Sequence, residues 1–212
     1  MYSENSPDLV TIKYIFTEDN FDSNNLIEFV KNIKTHNLIN CNFLISVDFN
    51  KETLREEIIL SIISLYFQLS SEGVNAISFD DHIFRRVREV GRNLSNHIDE
   101  IDKIGQQGKV LKDIIKRFKS GKNSVVIWGT GEFSKYIYDT SKKSDLAVTG
   151  FVDGIEEKWG TDFMGFNIKD PKSLKDGKSD IIIASVNFYG EIYNNIISMG
   201  ISKDKIIPNF LL

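Results

Sequence analysis

The chain of 212 residues has one cysteine, Cys41, set at the edge of an apolar run. A lone thiol excludes an internal disulfide and the four-thiolate set of an iron–sulfur cluster, so neither is expected, and a reducing cytoplasm is the compartment that fits. Histidine is equally scarce. His36, His82 and His97 are scattered, with no acid beside them at metal-ligand spacing, and no metal site is expected. A surplus of positive charge is also missing: the net charge of −4 divides into −3 for residues 1–120 and −1 for residues 121–212. Neither half carries a basic footprint, and the expectation is no nucleic-acid partner. No segment approaches the 18 or so apolar residues that span a bilayer, and the start, MYSENSPDLV, lacks a basic region followed by an apolar one. A soluble, untargeted, cytoplasmic protein with no membrane partner is expected.

What is present is an ordinary globular composition, 41% hydrophobic and 26% charged, enough for one large domain or two small ones. From Val10 to Phe16 the residues VTIKYIF alternate as in a strand, and Leu26, Ile27, Phe29, Val30 and Ile33 keep helical spacing. NFLISV (42–47) reads as a second strand, Lys51 to Ser71 as a long helix, and NAISF (75–79) as a third strand. Three strand–helix units in succession predict a parallel sheet with right-handed crossovers. Residues 81–119 carry helical patterns only, interrupted near Gly105-Gln106-Gln107-Gly108. Alternation resumes with strand Val125–Trp128, helix Glu132–Lys142, strand Ala147–Val152, strand Asp180–Ala184, helix Phe188–Met199 and a short strand at Lys205–Ile207. The expectation is an α/β protein in three parts: an N-terminal three-unit segment (1–80), a helical connector (81–120) and a C-terminal Rossmann-like parallel sheet (121–212).

The chemistry-bearing stretch is VVIWGTGEFSKYIYDT, Val125 to Thr140. A strand runs into Gly129-Thr130-Gly131 and a helix begins at once. Backbone N–H groups and the positive end of a helix dipole converge there, which suits a nucleotide's diphosphate. Serine stands at Ser134, where the dinucleotide fingerprint has its third glycine, and is small enough for helix to pack on strand. Glu132 complements the helix dipole, yet stands where a diphosphate would bring its own charge. A bare structural turn and a working anion site are both consistent with these residues.

Asp153 follows the next strand, 22 residues beyond Gly131 and close to the offset of about 20 at which an acid meets ribose hydroxyls. It would disfavour a 2′-phosphate, and so NADP. Asp153-Gly154 is also a strong turn dipeptide. Ser185 and Asn187 lie at the carboxyl end of a third strand, where open α/β sheets place ligands and where they could equally cap a helix. Phe133 completes the set of candidate contacts: Gly129, Thr130, Gly131, Glu132, Phe133, Asp153, Ser185 and Asn187. Tyr138 and Lys142 have the spacing of the catalytic pair of short-chain dehydrogenases, but the helix that carries them runs away from the phosphate end, and they are set aside. Arg85, Arg88 and Arg92 share a helical face that reads as solvated. Trp159 and Phe163 read as a cover for the sheet edge.

IWGTGEFSKYIY, VTGFVDGIEEKWGTDFMGFNI and SDIIIASVNFYGEIYNNIISMGI, within residues 123–212, resemble the small Rossmann-like domain of polysaccharide-biosynthesis proteins. Relatives include the N-terminal domain of sugar O-acyltransferases and the first domain of nucleoside-diphosphate-sugar epimerases. The resemblance implies that Gly129, Thr130, Gly131 and Asp153 contact NAD, a nucleotide or a nucleotide-sugar in cell-surface carbohydrate metabolism. An epimerase's catalytic half is absent, and no catalytic residue is assigned. Residues 10–90, through VTIKYIFTEDNFDSNNLIEFVKNI and NFLISVDFN, are similar to the last strand–helix units of a radical S-adenosylmethionine barrel, without its Cys-x-x-x-Cys-x-x-Cys loop. An incomplete sheet of three strand–helix units leaves edges to cover, so a homodimer or larger assembly is expected.

Overall fold

The structure, a computed structural model, describes residues 10–48, 54–74, 77–105, 112–113, 116, 124–143, 146–176, 178–185 and 188–211. The chain forms two compact α/β units, Met1–Ile114 and Ile115–Leu212.

The first unit is a parallel three-stranded sheet in the order β1-β2-β3: β1 (Thr11–Phe16), β2 (Asn42–Val47) and β3 (Ile77–Phe79). Sequential order with right-handed crossovers places the linking helices, α1 (Ser23–Thr35) and α2 (Glu56–Ser71), on one face. Strand alternation matches this: Phe16, Phe43, Ile45, Val47, Ile77 and Phe79 are buried, whereas Lys13 and Ile15 on the opposite face are exposed. Asp22 caps α1 by accepting the N–H groups of Asn24 and Asn25. Helix α2 is buried at every position from Ile58 to Leu69, so it is core rather than an amphipathic surface helix. Two further helices, α3 (Asp81–Gly91) and α4 (Ile98–Gly105), pack on it. A Cβ on Gly105 would stand 2.4 Å from Ser64 Oγ and 2.5 Å from Gln68 Nε2, so α4 reaches α2 because that residue is glycine. The expected connector therefore contributes α3 and α4 to the first unit's packing; residues 106–111 of it lie outside the described residues.

The second unit is a four-stranded parallel sheet in the order β5-β4-β8-β9, with β4 (Ser124–Trp128), β5 (Ala147–Val152), β8 (Asp180–Ile183) and β9 (Ile206–Ile207). The chain moves from β4 to one side, then crosses to the other, so helices cover both faces. Along β4, Val125 and Ile127 pack on the side of α5 (Glu132–Lys143), and Val126 and Trp128 on the side of α6 (Tyr189–Ser198). Period-2 alternation with both sets apolar is what a doubly covered strand requires. A small antiparallel ribbon, β6 (Asp162–Phe163) and β7 (Phe166–Asn167), folds over Phe151 through Phe163 and Phe166. Among the described residues no helix is long and apolar enough to cross a membrane.

Candidate functional site

The order of strands reverses at β4, and the carboxyl end of that strand is the switch point at which open α/β sheets bind ligands. Gly129 begins the turn there. Its N–H donates to Val152 O (2.8 Å) and its φ is +119°, a backbone that L side chains rarely adopt. A Cβ at this position would also stand 3.2 Å from Ala184 O and 3.3 Å from Ser134 Oγ. Gly131 differs: its backbone is outside that region, and a Cβ would meet nothing within 4 Å. The space above Gly131 is open.

Helix α5 starts immediately. The carbonyl of Gly131 is the first it uses, accepting from Ser134 N (3.1 Å) and Lys135 N (3.3 Å). The N–H groups of Glu132 and Phe133 belong to the first turn of the helix, ahead of that bond, where the positive end of its dipole lies. Glu132 stays clear of them. Its side chain is 88% exposed, and its carboxylate accepts from Lys135 Nζ at 2.6 Å. Phe133 turns the other way, packing with Tyr136 on the α5 side of the core. Ser134 is wholly buried under the turn, and its hydroxyl has no hydrogen-bond partner among the described residues.

At the end of β5, Asp153 is buried, and its carboxylate is held by three donors. Thr130 Oγ1 donates to Oδ2 at 2.5 Å, Lys158 Nζ donates to the same oxygen at 2.9 Å, and Ile155 N donates to Oδ1 at 3.0 Å. Lys158 Nζ also donates to Thr130 Oγ1 (3.0 Å), closing a triangle between the glycine turn and the β5 corner. Burial by itself would raise the Asp153 pKa, but the Thr130 hydroxyl, the Lys158 ammonium and the Ile155 N–H together outweigh it and hold the carboxyl below its ordinary value. Trp159 donates its indole N–H to Asp153 O at 2.7 Å and so braces the acid's loop. Phe163 does pack against the core.

The structure therefore brings together Gly129, Thr130, Gly131 and Asp153, while the side chains of Glu132 and Phe133 point away from the turn. Ser185 lies two residues beyond β8, and its hydroxyl accepts from Phe188 N at 3.0 Å in the turn before α6; Asn187 lies outside the described residues. Sequence reasoning missed Lys158, five residues beyond Asp153 in a 3₁₀ turn (Glu156–Lys158), where neither periodicity nor motif singled it out. Of the residues set aside, Lys142 lies over the Tyr138 ring (4.0 Å to the centroid), and Arg85 pairs with Glu89, which also pairs with the neighbouring Arg86. Among the described residues no group of three or more His, Cys, Asp or Glu could hold a metal ion.

A family model described as C2185-like, N-terminal, matches residues 121–207. No curated protein matches. Solved structures similar to this chain include RSP in complex with beta-NADH, at 18% identity over 74% of this chain and 87% of that one, with a TM-score of 0.35. RSP, a Rex-family repressor, is similar at 16% identity over the same shares (TM-score 0.34). RSP in complex with beta-NAD+ and operator DNA is similar at 18% identity over 74% and 86% (TM-score 0.34). At such scores the likeness transfers neither ligand nor partner to this chain. It does correct one expectation: a protein among these neighbours is held on operator DNA, so the absence of a nucleic-acid partner is not an inference that net charge can carry. The physical reason is that a charge summed over about a hundred residues averages away any local basic element, and binding depends on the local element.

Proposed function

We propose that residues 121–212 are a nucleotide-binding module whose glycine turn receives the diphosphate of NAD or of a nucleotide-sugar, with the Asp153 corner beside it. The observation that carries this reading is the open turn. A Cβ on Gly131 meets nothing within 4 Å, and the acid best placed to occupy the anion position, Glu132, is paired with Lys135 and exposed. A turn that served packing alone would be filled, as it is at Gly129. Gly129, Thr130 and Gly131 supply the approach, the first amides of α5 supply donors and a positive dipole, and Asp153 closes the site at the neighbouring strand. The resemblance of residues 123–212 to domains of polysaccharide-biosynthesis proteins extends the proposal to a role in cell-surface carbohydrate metabolism. No residue beside the turn is given a catalytic role, and we assign no reaction to this chain.

Isothermal titration of the full chain with NAD, NADP, UDP-glucose and dTDP-glucose tests the reading. Binding of at least one, lost in Gly131→Val, is the expected result. Absence of heat from all four at millimolar concentration would overturn it.

A further inference from the structure

We propose that Lys158, and not Asp153, is the residue that meets the ligand at the β5 end of the site, with Asp153 and Thr130 acting as the positioning residues that hold its ammonium group toward the ligand's phosphate. This rests on the nucleotide-binding reading and names the contact that distinguishes it from the usual ribose-reading acid.

Three observations carry it. The first is exposure: the Asp153 side chain is 9% exposed and that of Lys158 38%, so an incoming molecule encounters the ammonium. The second is hydrogen-bonding capacity. A carboxylate has about four acceptor sites, and three of Asp153's are taken by Thr130, Lys158 and Ile155 N, leaving too few to chelate a ribose diol. An ammonium has three donors, and the bonds of Lys158 to Asp153 Oδ2 and Thr130 Oγ1 use two. One N–H is left. The third is preorganisation. Asp153 Oδ1 accepts Ile155 N, Trp159 Nε1 donates to Asp153 O, and Thr161 Oγ1 donates to Lys158 O at 2.6 Å, so the loop that carries the lysine is tied at both ends. The ammonium is thereby fixed within 3.0 Å of the hydroxyl of Thr130, the middle residue of the glycine turn.

The arrangement is chemically coherent for a ribonucleoside diphosphate or its sugar or nicotinamide derivative. A bare carboxylate beside the turn would repel phosphate. Paired with Lys158 its charge is neutralised, and the remaining N–H adds a charge-assisted donor to those of the helix terminus. The ligand class that follows is one whose phosphate, not its ribose diol, is read at this corner, so a 2′-phosphate is not excluded by Asp153.

The test titrates ADP, UDP and their 2′-deoxy counterparts into the full chain, at a temperature where tryptophan emission shows each variant folded. The expected results are binding to wild type, weakening of about tenfold or more in Lys158→Met with a shallower dependence on KCl, and recovery in Lys158→Arg. Asp153→Asn should weaken ribo and deoxy probes alike, leaving their ratio as in wild type. Lys175→Met, a charge-matched control at an exposed position of the turn Pro171–Asp176, should leave both affinity and salt dependence unchanged. If wild type binds and Lys158→Met binds equally well, or if wild type prefers ribo probes and Asp153→Asn erases that preference, Lys158 is not the contact. If wild type binds none of these probes while binding NAD or a nucleotide-sugar, this inference falls alone; if it binds neither set, the nucleotide-binding reading falls with it.

Discussion

Gly129 and Gly131 stand two residues apart in one turn, and the structure gives the same substitution opposite consequences at each. Gly129→Ala puts a side chain on a backbone at φ +119°, with its Cβ 3.2 Å from the carbonyl oxygen of Ala184 and 3.3 Å from Ser134 Oγ. The hydroxyl could rotate away, but the carbonyl is main chain just beyond β8, held by the bond of Ala184 N to Trp128 O (2.9 Å), and cannot. Backbone strain of this kind costs about 1–3 kcal/mol, and the crowding adds to it. For a unit of this size each kcal/mol moves the melting temperature by roughly 4–8 °C, so a fall of roughly 5–20 °C is expected. Gly131→Ala meets no atom within 4 Å, and its backbone is outside the restricted region. It should be neutral or stabilise by about 0.4–1 kcal/mol through the less flexible unfolded chain. Because both variants exchange glycine for alanine, that unfolded-state effect cancels between them and the difference isolates strain in the fold. Trp128 and Trp159, the chain's two tryptophans, both lie in the second unit, so tryptophan fluorescence during heating reports this unit directly. Equal melting temperatures for the two variants would refute the reasoning.

Asp153→Asn should cost about 1.5 kcal/mol at neutral pH, the low end for a hydrogen bond to a charged group because Lys158 is partly solvated. Since the carboxyl pKa is lowered in the fold, that contribution is complete above the unfolded value near 3.9 and is lost as pH falls from there through the folded value, so urea-unfolding curves of wild type and variant should converge in acid and nowhere else. Ser134→Ala removes a buried hydroxyl without a hydrogen-bond partner and should be neutral or stabilise by up to about 1 kcal/mol in the same fluorescence assay; a clear loss would mean that the hydroxyl is satisfied. Cys41 is 1% exposed and burial pushes its thiol pKa up, so a disulfide reagent should find no reactive thiol in the native protein and one equivalent after denaturation.

Much of the architecture was legible because each strand carries its own period. The alternation of VTIKYIF located β1, and the short apolar runs at 125–128 and 181–184 located two strands buried on both faces. The ribbon of β6 and β7 was not legible: two-residue strands carry no periodicity, and the only signal was Met164-Gly165, both at positive φ in the turn between them. The packing of 81–105 was not legible for a related reason. Helical spacing in α3 and α4 shows which side is apolar, not which element covers it, and α2 proved to need covering on all sides.

By itself the sequence determined the strand–turn–helix at Gly129–Gly131 and the acid at the end of the next strand, because turn residues and hydrophobic period act over a few positions. Only the tertiary structure decided what that acid does. Thr130 and Lys158 reach Asp153 from positions 23 residues before it and 5 after, brought together by parallel pairing of β4 with β5 and by a tied loop. Hydrogen bonds across that distance depend on register and loop closure, which no local pattern encodes.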